Sequence, residues 1–174
     1  MLQRLLTRLV PGIEERLGVR LEYLRLMAAH APGALWRLLL FMPLAAYERS
    51  VPTSLLHLAR LGATLSEDCG ECVEITVNVA RQEGVSAEVL RAGITRDASV
   101  LGANELAALD YGSLLVQGDR RADDVRRELE ELYGTEGVIE FATAVASAQL
   151  FTTVKRGMGL SQRCDVPRMR ELAA

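Results

Sequence analysis

The sequence predicts an all-α fold, on three observations. Aromatic residues make up only 5% of the chain while Leu, Ala, Arg and Glu abound, and unbranched side chains lose little rotamer freedom in a helix. Apolar residues recur at three- and four-residue spacing in one segment after another. No stretch alternates apolar and polar residues long enough to make a strand. With 174 residues, 49% hydrophobic and 25% charged, the chain can bury a core of ordinary size. It is expected to form a single domain over 1–174, in which residues 1–20 are a helical extension and residues 160–174 a loosely packed tail.

Taken in order, Leu2, Leu5, Leu6, Leu9, Ile13 and Leu17 make an apolar stripe, which Pro11-Gly12 is expected to split into two short helices. Residues 21–29 repeat the pattern and stop at Ala31-Pro32-Gly33. Residues 34–48 are apolar nearly all round, which predicts a buried helix kinked near Pro43. Pro52-Thr53-Ser54 opens a helix running toward Leu65, and Ser66 or Asp68 caps the next, which ends at Gly84. Ser86 starts a short helix stopped by Gly93, and residues 103–116 form another with Leu106, Leu109 and Leu114 inward. Residues 122–132 carry Val125, Leu129 and Leu132 on one face and end at Gly134. The last long helix, 137–155, is rich in small residues such as Ala144, Ser147 and Ala148, which permit close helix–helix approach.

Charge and hydropathy exclude several classes of function. The net charge is −3 and the Arg residues are scattered among Glu and Asp, so no nucleic-acid footprint is present. The longest apolar run, residues 38–46, is broken by Pro43 and falls far short of the roughly 20 residues of a bilayer crossing. The N-terminus mixes basic residues into its apolar ones, with no separate apolar core before a cleavage site. The cysteines are therefore expected in a reducing cytoplasm, where a C-x-x-C pair is catalytic or metal-binding more often than a structural staple.

The informative stretch is Ser66-Glu67-Asp68-Cys69-Gly70-Glu71-Cys72-Val73-Glu74-Ile75-Thr76. Asp68 with Glu71 fits an acidic capping box, which would put Cys69 at the first helical position. A helix N-terminus favours a thiolate, and the i, i+3 spacing brings both sulfurs to one side of the first turn, within disulfide reach. Glu67, Asp68, Glu71 and Glu74 crowd the site; as neighbouring charges they raise a thiol pKa, and as bases they can accept its proton. The alternative is that the cysteines are inert, buried small hydrophobes. Zinc would need two further ligands, from Cys164, His30 and His57, with no second knuckle in the sequence. His57 lies one helix earlier, where an antiparallel pair could carry it toward the thiols, and it is the candidate base. His30, beside a Pro-Gly turn, and Cys164, near the tail, have the look of loop and incidental groups.

A helix, a C-x-x-C opening the next helix and a long C-terminal helix together resemble the AhpD-like alkylhydroperoxidase and carboxymuconolactone decarboxylase superfamily. The resemblance is most specific over Glu67 through Ile75, followed by Val77-Asn78-Val79-Ala80 and Gly84-Val85. It extends to Glu105-Leu106-Ala107-Ala108-Leu109-Asp110-Tyr111 and Gly134-Thr135-Glu136-Gly137-Val138-Ile139-Glu140-Phe141, about residues 20–160 in all.

The resemblance implies an AhpD-like helical bundle that assembles as a homo-oligomer, a trimer or hexamer, and works without cofactor or metal. It implies thiol chemistry in which Cys72 attacks a hydroperoxide or disulfide substrate. Cys69, the more exposed, completes the disulfide and meets the reductant, an external dithiol protein that restores the pair. The family's proton relay uses a Glu one helix before the first cysteine, a His between the two, and a His one turn after the second. Those positions are His57, Glu71 and Thr76 here. All three depart, leaving His57 as proton acceptor with Glu71 as helper, and a Thr that is no base at neutral pH. The catalytic set so implied is Cys69, Cys72, His57 and Glu71. Alternatives are a non-enzymatic redox-sensing or scaffold member, and a lyase of the decarboxylase branch using His57 as base.

Overall fold

The computed structural model describes residues 1–160 and, beyond them, Glu171. Cys164 and the expected tail thus lie outside the described residues. Nine helices and no strand are found among the described residues: α1 Leu2–Leu17, α2 Glu22–His30, α3 Pro32–Leu39, α4 Met42–Ala45, α5 Thr53–Ser66, α6 Gly70–Gln82, α7 Ala87–Thr95, α8 Ala103–Gln117 and α9 Ala122–Gly157. The all-α expectation holds.

Two apolar clusters organise them. The larger joins α5 to α9 through residues such as Leu56, Leu58, Leu61, Leu109, Leu129 and Phe141. The smaller joins α1, α2 and α3, through Leu6, Val10, Leu21, Leu24 and Leu35, to Ile75 of α6 and Leu150, Phe151 and Val154 of α9. Residues 1–20 are therefore part of a packed layer over one end of α6 and α9. That layer is fixed from below: Asn78 Nδ2 donates to the Leu17 carbonyl at 2.9 Å and Gln82 Nε2 to the Arg16 carbonyl at 2.7 Å.

At the centre, α5 and α8 touch backbone to backbone. A Cβ on Gly62 would run into the Leu109 carbonyl, and one on Gly112 into the Ala59 carbonyl, so only glycine permits the crossing. The loop before α5 is held by Glu140, fully buried on α9. Its carboxylate accepts the N–H groups of Arg49 (3.0 Å), Ser50 (2.7 Å) and Val51 (3.2 Å) and the Ser50 hydroxyl (2.6 Å). Burial pushes this carboxyl up, but the four donors outweigh it and hold it below the usual carboxylate range.

Several element expectations are corrected. Helix α1 runs unbroken through Pro11; the Thr7 carbonyl that Pro11 leaves without its N–H is on an exposed residue, where water can serve it. Residues 34–48 are not a buried helix. Leu35 and Leu38 point inward, but Trp36, Leu40, Phe41, Met42 and Leu44 are exposed: Pro43 keeps α3 from running on, and the one-turn α4 that it opens cannot turn every face to a core. Helix α7 continues past Gly93, whose missing side chain lets Leu58 and Leu61 close on it. Gly134 (φ 68°, ψ −178°) does break the last helix. By length and composition α9 could cross a bilayer; here Phe141, Ala144 and Val145 line the core.

Candidate active site

The turn between α5 and α6 determines where the sulfurs sit. Asp68 takes a left-handed conformation (φ 51°), which Asp tolerates better than most residues. Cys69 follows as the extended N-cap of α6 (φ −110°, ψ 91°), with no side-chain cap. The expected capping box is therefore absent and Cys69 precedes the first helical residue, because Glu71 has a stronger partner than a backbone N–H. Cys69 and Cys72 are joined as a disulfide, Cα to Cα 5.2 Å. Cys69 is 0% exposed and Cys72 6%, the reverse of the exposure order the resemblance implied.

Glu71 pairs with the ammonium of Lys155, which arrives from the last turns of α9 and is 1% exposed. The same Nζ lies 3.9 Å from the Cys69 sulfur, in hydrogen-bond geometry, and 5.8 Å from the centroid of the Tyr23 ring. Tyr23 comes from α2, which is steadied by Glu14: its carboxylate accepts the Leu21 N–H at 2.8 Å and the Arg25 Nε–H at 2.8 Å. Burial, and secondarily the Glu71 charge, push the Tyr23 hydroxyl well above its ordinary range, so it stays neutral. Glu67, beside the cysteines, pairs with Arg156. Among the described residues, Glu71 Oε1 is buried without a hydrogen-bond partner. The result is a buried cluster of two sulfurs, one cation and one carboxylate.

Of the site residues expected from sequence, Cys69, Cys72 and Glu71 are thus brought together. His57 is placed elsewhere. It is buried on α5, and its Nε2 is 2.6 Å from Oε2 of Glu83, the C-cap of α6. Cys72 and Glu83 are eleven positions apart on one helix, about 16 Å at helical rise. Burial, and secondarily the nearby Arg60 guanidinium, push the His57 imidazole below its usual range against the pull of Glu83. Thr76 is buried one turn after Cys72 and donates its hydroxyl to the Cys72 carbonyl at 2.9 Å.

Glu48, His57 and Glu83 offer ligand atoms within 4.8 Å of one another. Arg60, donating to Glu48 at 3.2 Å, already supplies a positive charge to that group. A depression of about 510 Å³, lined by Pro52, Ser54, Leu55, Asn104 and Tyr133, opens at the N-terminal end of α5, away from the cysteines.

Sequence reasoning missed Lys155 and Tyr23. One signal was available: Lys155 is the sole lysine among the chain's 20 basic residues, so its use in place of arginine marks a position apart.

The carboxymuconolactone decarboxylase family model matches residues 32–112, from α3 into α8, spanning His57, Cys69, Glu71, Cys72 and Thr76 but neither Tyr23 nor Lys155. Among solved structures, a cysteine-to-alanine variant of the debrominase Bmp8, in complex with 2,3,4-tribromopyrrole, is similar at a TM-score of 0.75 and 20% identity. The match covers 97% of this chain and 91% of that one; at this identity the likeness is one of fold. No curated protein matches the chain.

Proposed function

Because the chain belongs to the AhpD-like, carboxymuconolactone decarboxylase superfamily, we propose that it is a thiol-dependent oxidoreductase working through Cys69 and Cys72. The observation that carries this is the Cys69–Cys72 disulfide at the mouth of α6 beside a buried, ion-paired lysine. A buried cation next to a sulfur is costly to maintain for packing alone and is what a cycling thiolate needs.

The substrate is a hydroperoxide or a disulfide. With a hydroperoxide, Cys72 gives up its proton and its sulfur attacks the terminal oxygen, the O–O bond breaks, and the alkoxide takes a proton and leaves as the alcohol. Cys69 then attacks the Cys72 sulfenic acid, forming the S–S bond and releasing water. An external dithiol returns the two electrons. Proton handling falls to Glu71 and Lys155, which adjoin the sulfurs, with His57 kept to its Glu83 pairing. The exposed apolar strip of Trp36, Leu40, Phe41, Met42 and Leu44 supports a homo-oligomer, which sedimentation would measure.

The test is a redox titration with mass-mapped thiols beside a turnover assay. Organic hydroperoxide, a model disulfide and, given the debrominase neighbour, a bromopyrrole are offered in turn with excess dithiol. Turnover of any of these that Cys72→Ser abolishes supports the proposal. Turnover unchanged in Cys72→Ser would sink it. A pair that cycles reversibly while no electrophile is consumed would favour a redox-sensing protein.

A further inference from the structure

We propose that Lys155 makes Cys69 the leaving thiolate when the disulfide is reduced, so that the external dithiol attacks Cys72. This rests on the oxidoreductase proposal and assigns the polarity of its reductive half. Two independent features agree. Cys72 is the residue with a share of surface, 6% against 0% for Cys69, and attack on a disulfide needs access along the S–S axis. The departing sulfur needs stabilised charge, because a lower thiol pKa makes a better leaving group. The Lys155 ammonium, 3.9 Å from Cys69 Sγ and in hydrogen-bond geometry with it, supplies that charge, and the extended N-cap position of Cys69 adds the helix N-terminus.

The step balances as follows. A thiolate of the dithiol bonds to Cys72 Sγ, the Cys69–Cys72 bond breaks, and its electron pair departs on Cys69 beside Lys155. The reductant's second sulfur, deprotonated, then attacks its own first sulfur and expels Cys72, which takes a proton. The dithiol is oxidised to its disulfide. Of its two protons, one ends on Cys72 and one in solvent, and the protein is left with Cys69 as thiolate and Cys72 as thiol.

Other charges face Cys69. Glu71 shares the ammonium and has an unpartnered Oε1. Glu67 is paired with Arg156. Tyr23 stays neutral, and Asp68 and Glu74 have partners of their own. Glu71 therefore opposes Lys155, and the two residues must act on Cys69 with opposite sign. A packing role for either would not produce that pattern.

The experiment uses the full chain with Cys164→Ser, reduced by excess dithiol. Thiolate absorbance is followed against pH, and rapid alkylation with mass mapping assigns the sulfur. The expected result is a thiolate mapped to Cys69, titrating about one unit or more below the ordinary thiol value of ~8.5. Lys155→Met should raise that midpoint by about one unit or more and slow reduction by small dithiols roughly tenfold. Glu71→Gln should lower the midpoint. Should Lys155→Met not fold, the nitrogen and proton resonances of the single lysine ammonium serve in the parent protein, and they should move on reduction. A low-midpoint thiolate mapped to Cys72, a midpoint unmoved by Glu71→Gln, or lysine resonances indifferent to reduction would overturn the assignment. A Cys69 thiolate found as expected, with no substrate consumed in any turnover assay, would instead count against the oxidoreductase proposal alone.

Discussion

The two ends of α6 carry buried ionisable groups in opposite states of balance. At the C-terminal end, His57 meets Glu83, which is 41% exposed, and Arg60 meets Glu48. Each carboxylate there has a partner, and one of the two is wetted. At the N-terminal end, Lys155 is enclosed and shared among Glu71, the Cys69 sulfur and the Tyr23 face, and a carboxylate oxygen is left over. Among the described residues, the first arrangement leaves over a ring nitrogen, His57 Nδ1, and no carboxylate oxygen. The second leaves room for another negative charge beside the ammonium, and on the proposal above opening the disulfide supplies one. The difference shows that a residue one helix back from a motif in sequence need not stand beside it in the fold.

That contrast can be broken most severely at Lys155. Lys155→Met with the disulfide intact should cost about 2–4 kcal/mol in chemical denaturation, because it strands the Glu71 carboxylate. Adding Glu71→Leu should restore at least half of the loss. An additive double mutant would mean that the pair is not coupled. Next in size, reducing the disulfide should cost about 2 kcal/mol by the chain-entropy estimate for so short a loop, measured as the shift of the denaturation midpoint with and without reductant.

At the other end the effects are smaller. His57→Gln keeps a donor for Glu83 and should cost about 1 kcal/mol, leaving the Cys69 thiolate midpoint where it was. Its pH signature is more telling. The folded imidazole sits below its unfolded value of ~6.5, so protonation favours the unfolded chain. Stability should be full above pH ~6.5 and fall as the pH drops toward the folded midpoint, and His57→Gln should flatten that slope. The smallest effect is the reference: Arg126→Ala, removing the exposed i,i+4 pair with Glu130, should change stability by about 0.3–0.5 kcal/mol, independent of redox state.

Much of the fold was legible because it depends on local pattern. The stripes of α5, α6 and α8 and the break at Gly134 follow from spacing and one glycine. Residues 40–45 misled, because an all-round apolar composition cannot say whether a one-turn helix faces a core. At the site, Cys69, Cys72 and Glu71 were legible from adjacency in sequence. Lys155 and Tyr23 were not, since each lies tens of residues from the motif and reaches it only because α2 and α9 converge there. His57 was drawn toward the sulfurs by counting one helix back, whereas the long reach of Glu83 engages it at the far end of α6. The capping box failed for a related reason: a tertiary ammonium outcompetes a local N–H for Glu71.

The glycine crossing of α5 and α8 has a mechanical meaning for the redox cycle. Two helices whose backbones touch at Gly62 and Gly112 have no slack in which to slide, so the end of α5 is a fixed anvil. On the proposed cycle, separation of the sulfurs falls to the side that side chains hold: the turn at Asp68, the start of α6, and the Lys155 arm of α9. A change at the two sulfurs is therefore expected, on that proposed cycle, to reach the N-terminal helices that rest on α6 before the opposite face of the bundle.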